Sequence, residues 1–269
     1  MVIAYPVAGK AKSLEICRAF VEGCGGVVMQ KGAGLAGLTP GVPAFFYGVD
    51  ASNQHLYDAA VKRAAHGGAP FYYCDNSYFD ATRQHYFRVT SNGLQYVRRD
   101  RTSNGARYRT LNLSPIRPWR AQGEHIVVCP QSDHFMRNIV KYPGDWCRDT
   151  IRRLNRVTSL PVCLRDWSPD KGALAATLEQ DLLDAHALIT HSSAAAITAL
   201  HHGIPVFCSQ LCAASPCASL FDDLEEPHLA PDPAREQLFH VLADNQWTLD
   251  EMRYGQCWAD LQQQQEQSA

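Results

Sequence analysis

The chain of 269 residues, 46% hydrophobic and 19% charged, has enough apolar material for one large or two small domains, which excludes a disordered or fibrous protein. No run approaches the roughly 18 apolar residues needed to cross a bilayer, and Met1–Pro6 lacks the basic start and apolar stretch of a secretion signal, so a soluble, cytoplasmic protein with no transmembrane segment is expected. The formal charge of −2 hides an asymmetry: across 83–120 nine arginines oppose Asp100 alone, leaving that stretch at +8 and the remainder at −10.

In chain order, Val2–Tyr5 reads as a strand, Ser13–Cys24 as a helix and Val27–Met29 as a short strand. Ala44–Tyr47 is a further strand, and Ser52 is placed to cap a helix reaching about Ala65. Phe71–Cys74 reads as a buried strand ending at Asp75, so the opening part is a β-α-β series with a parallel sheet. The Arg-rich stretch breaks that rhythm: Tyr86–Thr90 and Leu94–Val97 flank Ser91-Asn92-Gly93, a hairpin signal. Pro115–Gly123 reads as a linker. Beyond it the alternation resumes with strand His125–Cys129, helix Asp145–Arg156, strand Pro161–Leu164, helix Gly172–Leu182, strand Ala187–Thr190, helix Ser193–His201 and strand Ile204–Cys208. Amphipathic segments at Pro233–Asp244 and Leu249–Gln262 close the chain, and the tail from Gln262 is expected to fray.

Three motifs fail on context. Gly32-Ala33-Gly34-Leu35-Ala36-Gly37 satisfies a dinucleotide fingerprint, with Asp50 lying 18 residues beyond Gly32, but Pro40 and Pro43 leave no room for the helix that would hold a pyrophosphate. Gly9-Lys10 lacks the rest of a P-loop. Cys208, Cys212 and Cys217 lie near His201 and His202, yet their spacing matches no common zinc pattern. The ten cysteines never form C-x-x-C and many sit in apolar runs, as reduced thiols used as small hydrophobes do.

The strongest signal is Ala187–Phe207. An apolar strand ends in Thr190-His191-Ser192-Ser193, a small-residue helix follows, and Gly203-Ile204-Pro205 opens the next strand. Ser192 and Ser193 then stand at a helix start, where free backbone N–H groups and hydroxyls suit a phosphate. A carboxylate at a strand end, Asp75 or Asp50, is placed to take a proton, with His191 and His134 as further candidates. Either aspartate could equally serve as a cap or an Asx-turn residue. The arginines read either as a solvated Arg-rich hairpin or as a polyanion surface, with Tyr86, Phe87, Tyr96, Tyr108 and Trp119 as stacking faces.

Thr190–Val206 resembles the donor-binding unit of GT-B glycosyltransferases, especially bacterial and phage enzymes with a His-Ser-Ser loop followed by a small-residue helix and Gly-Ile-Pro. A softer match runs through Asp222–Pro227, Arg235, Gln246-Trp247-Thr248 and Asp250-Glu251-Met252. The resemblance implies an α/β, GT-B-like fold of two Rossmann-like domains facing across a cleft: 1–120 for the acceptor, 121–250 for the nucleotide sugar, and 251–269 as a helix and tail. It implies transfer of a hexose or pentose from a nucleotide-diphosphate sugar, a UDP-sugar, to an acceptor hydroxyl. Ser192, Ser193 and Arg165 would hold the phosphates, Gln131 and Ser132 would touch the donor, and Glu225 or Glu226 would bind the ribose. No obligatory metal or other cofactor is expected, since nothing resembles an Asp-x-Asp site.

Related phage enzymes glycosylate hydroxymethylated pyrimidines, so the resemblance makes double-stranded DNA the expected acceptor, gripped by Arg88, Arg98, Arg99, Arg101, Arg107 and Arg109, in the cytoplasm of a bacteriophage's host. The alternatives are a surface-polysaccharide or lipid-linked acceptor, and a non-catalytic nucleotide- or nucleic-acid-binding module.

Overall fold

Runs of aromatic and β-branched residues too short for helices become strands in both halves of the chain. The computed structural model describes residues 1–29, 38–79, 86–96, 101–165, 177–220 and 227–266. The chain divides into two units, 1–95 with 245–269, and 96–244. The first unit opens with β1 (Ile3–Ala4), α1 (Ala11–Cys24), β2 (Val27–Val28), β3 (Ala44–Tyr47), α2 (Gln54–Ala65), β4 (Phe71–Asn76) and β5 (Tyr86–Ser91). The second holds α3 (Ala106–Thr110), β6 (His125–Cys129), α4 (Trp146–Val157), β7 (Val162–Leu164), α5 (Leu178–Asp181), β8 (Ala185–Thr190), α6 (Ala195–His201), β9 (Val206–Phe207) and α7 (Asp232–Asp244). The chain then returns to the first unit through β10 (Gln246–Thr248), α8 (Leu249–Arg253) and α9 (Gln256–Glu266).

Each unit carries one sheet. The first is ordered β10-β5-β4-β3-β1-β2 and the second β7-β6-β8-β9. The second sheet is wholly parallel; in the first, β2, β1, β3 and β4 run parallel while β5 is antiparallel to β4 and to β10. Both sheets reverse their winding. In the first unit the chain moves from β1 outward to β2 and then back past β1 to β3; in the second it moves from β6 to β7 and back past β6 to β8. Loops leaving the carboxyl ends of the strands at such a reversal diverge to opposite faces, which opens a crevice between them.

Three sequence expectations change here. Leu94–Tyr96 is not a strand, because Asn92, at a positive φ of 54°, turns the chain back onto Phe71, exchanging Asn92 N–H to Phe71 O (2.8 Å) and Phe71 N–H to Asn92 Oδ1 (3.0 Å). The other edge of β5 is taken by β10, so no hairpin partner is needed there. Residues 96–120, expected with the first domain, group with the second unit. Tyr108 stacks on Phe239 at 6.2 Å and its hydroxyl shares a hydrogen bond with His201 Nε2 at 3.0 Å, while Arg117 N–H and Arg120 N–H donate to His201 O and Gly203 O. The third concerns residues 245–250, which group with the first unit: the fully buried Trp247 packs there with Phe20, Phe45, Tyr72, Met252 and Leu261, and its indole donates to Asp260 at 3.0 Å. The helix Gly172–Leu182 is described only over α5, since 166–176 lie outside the described residues, as does the glycine run 32–37.

The returning segment demands glycine in α1. A Cβ at Gly23 would lie 1.9 Å from Met252 O and 2.9 Å from Gly255 Cα, both backbone atoms that cannot move aside. Gly23→Ala is therefore expected to destabilise the protein by roughly 2–4 kcal/mol, an overpacking effect at the top of the usual range. Chemical denaturation measures it; a change below about 0.5 kcal/mol would contradict the close approach.

Burial, with His202, Arg235 and Arg117 nearby, lowers the His201 pKa to about 4. The ring is neutral when folded and protonates near its ordinary value when unfolded, so the unfolded chain binds more protons between those values. Stability should fall as pH drops from about 6.5 toward 4, and His201→Gln should flatten that dependence in denaturation curves taken across the window.

Candidate functional site

The crevice beside β6 collects most of the residues expected to hold a donor. Thr190 ends β8, and its hydroxyl donates to Cys129 O at 2.6 Å, which ties the carboxyl ends of β8 and β6 together. With its carboxamide oxygen turned toward the loop, Gln131 accepts from the Ser192 amide at 3.1 Å and the Ser193 amide at 2.5 Å. A neutral oxygen thus occupies the position that two converging N–H groups offer to an anion. Ser193 Oγ accepts from Ala195 N–H at 3.2 Å as a local cap, and Ser192 Oγ lies 3.2 Å from His191 Nδ1. His191 is buried with its ring edge-on to Trp146, and burial lowers its pKa, so it is neutral at pH 7. The backbone beneath is fixed by Ser209, whose N–H and hydroxyl both donate to His191 O, at 3.0 and 2.8 Å.

Gln131 also lines a cavity of about 970 Å³ whose walls include Ser132, Met136, Arg137, Trp146 and Arg148. One wall is a π-helical turn, Phe135–Val140, opened by Ser132, whose hydroxyl accepts from Phe135 N–H at 3.3 Å. Such turns are rare and concentrate at functional sites. Periodicity gives no warning of this one; the polar triplet Gln131-Ser132-Asp133 after an apolar strand was its sole signal. Arg165 follows β7 and pairs with Asp181, both side chains 16% exposed. Glu225 and Glu226 lie outside the described residues. Among the described residues no group of three or more His, Cys, Asp and Glu side chains is gathered to hold a metal ion.

The first unit has its own polar edge. Asp50 Oδ1 accepts from both the amide (2.8 Å) and the hydroxyl (2.6 Å) of Ser52, closing the loop ahead of α2. Asp75, at the end of β4, is bound by Arg88 Nη2 at 2.7 Å and by Asn76 N–H at 2.8 Å. Asn76 Oδ1 in turn accepts from Tyr47 OH (3.3 Å) and Lys12 Nζ (3.4 Å). A separate cavity of about 800 Å³ opens where the sheet reverses, lined by Pro6–Ala11, Arg18, Met29, Ser52 and Asn53.

No protein-family model matches the sequence, and no curated protein matches it. Among solved structures, the chain is similar to Thermosulfurimonas dismutans KpsC, beta Kdo 2,7 transferase, with a TM-score of 0.52 over 96% of this chain and 99% of that one, at 11% identity. A second, Thermosulfurimonas dismutans KpsC, beta Kdo 2,4 transferase, aligns with a TM-score of 0.47 at 12% identity, covering 92% of each chain. The fold is of the GT-B-like class, with two Rossmann-like units.

Of the arginines expected to grip DNA, one is committed to the interior. Arg88 is 5% exposed, binds Asp75 and Asn76 O and lies over the Tyr78 ring, so its fork faces inward. Arg101, Arg107 and Arg109 belong to the second unit; Arg109 donates to Asn104 O, while Arg98 and Arg99 lie outside the described residues. Four of the five expected stacking faces are also committed: Phe87 and Tyr96 are buried, Tyr108 packs on Phe239, and Trp119 donates to Ala230 O beneath the Arg235 guanidinium. No helix among the described residues is long and apolar enough to cross a membrane.

Proposed function

We propose that the protein is a glycosyltransferase that moves a sugar from a nucleotide-sugar donor to a hydroxyl of a polysaccharide or lipid-linked glycan. The observation that carries this reading is the Ser192–Ser193 amide pair, closed by the Gln131 carboxamide at the winding reversal of a parallel sheet. In this reading a donor phosphate displaces the carboxamide oxygen, gaining charge-assisted hydrogen bonds from both amides. The sugar and nucleoside occupy the cavity beyond Gln131, and Arg148 and Arg137 on its wall offset the phosphate charge. The fold likeness to a beta Kdo 2,7 transferase supports transfer to a glycan. Arg88, Phe87 and Tyr96, expected to face DNA, serve the interior instead. Nothing at the site selects UDP over another nucleotide, and Ser132, Arg165, Glu225 and Glu226 remain proposed donor contacts.

Transfer breaks the bond between the anomeric carbon and the phosphate oxygen. The acceptor hydroxyl supplies the new bond and must lose its proton, while the phosphate leaves with the electron pair. Hydrogen bonds that strengthen as this charge develops lower the barrier most.

Incubation with a panel of nucleotide sugars and of oligosaccharide, glycolipid and hydroxymethylated-DNA acceptors, read by mass spectrometry, tests the reading. A sugar-sized mass gain on a glycan supports it, gain on DNA alone overturns the acceptor assignment, and no gain on any acceptor overturns the activity. Gln131→Glu, nearly isosteric, sets a carboxylate against the amide pair. It should weaken donor binding at least tenfold, about 1.4 kcal/mol, by titration calorimetry; an unchanged Kd would contradict the placement of the phosphate.

A further inference from the structure

A row of arginines runs along α4 on the side turned away from the core. Trp146, Thr150 and Leu154 recur every fourth residue and are buried, and Trp146 and Leu154 pack with Ile126, Val128 and Ile189 of the second sheet. Arg148, Arg152 and Arg156 each follow one of them by two residues, about 200° round the helix, and all three are exposed. The row starts at the cavity of the same unit, where Arg148 and Arg137 stand in the wall, and from Arg148 to Arg156 it extends about 12 Å along the helix axis.

The row is unfavourable for the helix that carries it. Like charges four residues apart repel, and Arg148 lies in the first turn, where the helix dipole disfavours a cation. Among the described residues no acidic side chain pairs with Arg148 or Arg156, and Arg152 reaches Asp149 at 3.8 Å with both side chains exposed. Asp145 is committed to the helix start, accepting from Arg148 N–H at 3.0 Å. Residues 137–156 hold six Lys and Arg against Asp145 and Asp149, in a chain whose net charge is −2. An external anion removes the repulsion that the sequence leaves in place.

The surroundings of the row decide which anion. A membrane surface calls for an apolar face beside the basic one, but α4 turns its apolar face into the core, and Val157, at its last position, is the one large exposed hydrophobic of the helix. Single-stranded nucleic acid calls for aromatic stacking faces, and Trp146, the sole aromatic residue of α4, is buried. A polymer with charges strung along it, and neither bases nor acyl tails, matches a bare line of guanidinium forks.

Resting on the glycosyl-transfer reading, we propose that Arg148, Arg152 and Arg156 form a docking track for an acidic polysaccharide acceptor, a glycan bearing carboxylate or phosphate groups along its length, that leads to the mouth of the cavity. Arg152 and Arg156 lie beyond the cavity wall and hold the chain rather than the reacting sugar. The track therefore selects for charge and for length.

Titration calorimetry tests this on wild type and on the double variant Arg152→Gln with Arg156→Gln. The probes are oligogalacturonate as the acidic glycan, maltodextrin as a neutral one, galacturonate itself, phosphatidylglycerol vesicles and single-stranded DNA. Both positions are exposed and glutamine is close to arginine as a helix former, so the variant keeps its fold. Oligogalacturonate should bind wild type, less tightly as salt rises, and should bind the variant roughly tenfold more weakly, while the Kd for a nucleotide sugar changes by less than about twofold. Arg152→Lys with Arg156→Lys should retain part of the binding, and maltodextrin and galacturonate, the one uncharged and the other too short to span the row, should bind far more weakly. Equal affinity of wild type and the glutamine variant for oligogalacturonate, or no binding of it at all, would overturn the proposal. So would vesicle or DNA binding that the glutamine variant loses while its oligogalacturonate binding stays. Transfer is read separately: a wild type that turns over no nucleotide sugar, yet whose oligogalacturonate binding falls with the substitutions, would overturn the transfer reading and support the track as a glycan-binding surface.

Discussion

The reversal of winding about β6 is the constraint on which the candidate site depends. Parallel strands send successive loops to one edge of the sheet, and a reversal separates two of those loops so that polar groups between them stay solvent-facing. Here the separated loops are Pro130-Gln131-Ser132 and His191-Ser192-Ser193. Thr190 bridges β8 to Cys129 O, and Gln131 bridges back to the amides of Ser192 and Ser193. The carboxamide adds a neutral acceptor to the Ser192 and Ser193 amides, the second of which also donates to Thr190 Oγ1 at 3.2 Å. An anion offers those amides a stronger bond than an amide oxygen does, which is the physical ground for placing the proposed donor phosphate there.

The first unit repeats the reversal about β1 and carries a buried cation, Arg88, held against the end of β4. Arg88 and Asp75 form a pair that contributes little net stability, because the desolvation of the guanidinium offsets its attraction to the carboxylate. What such a pair supplies is direction. One residue farther along β4, Asn76 is held from the other side by Tyr47 and Lys12, so the whole edge from β3 to β5 is bound by side chains rather than left to solvent.

Most of the fold was legible because strong apolar runs with polar ends have few other uses. Ala44–Tyr47 and His125–Cys129 agree with the expected strands to the residue, and Ser192 and Ser193 fall where the small-residue helix begins. Three features escaped for physical reasons. The strand β10 has three residues, and its identity comes from pairing with β5, a contact spanning most of the chain. The segment 96–120 has no strong periodicity, so its attachment through Tyr108 and His201 is a tertiary choice. The burial of Arg88 was the least legible. Net charge over a window does not distinguish Arg88, buried against a carbonyl and an aromatic ring, from arginines facing solvent. The same property that makes guanidinium a phosphate ligand, a rigid fork with several donors, makes it a tie for backbone oxygens inside a fold.

The most direct measurement is backbone and side-chain amide NMR of the protein titrated with nucleotide sugars. The account predicts that a bound donor perturbs the Ser192 and Ser193 amides and the Gln131 carboxamide most strongly, with the Gln131 resonance reporting loss of its partners. A donor that binds while those three signals stay in place would contradict the central claim.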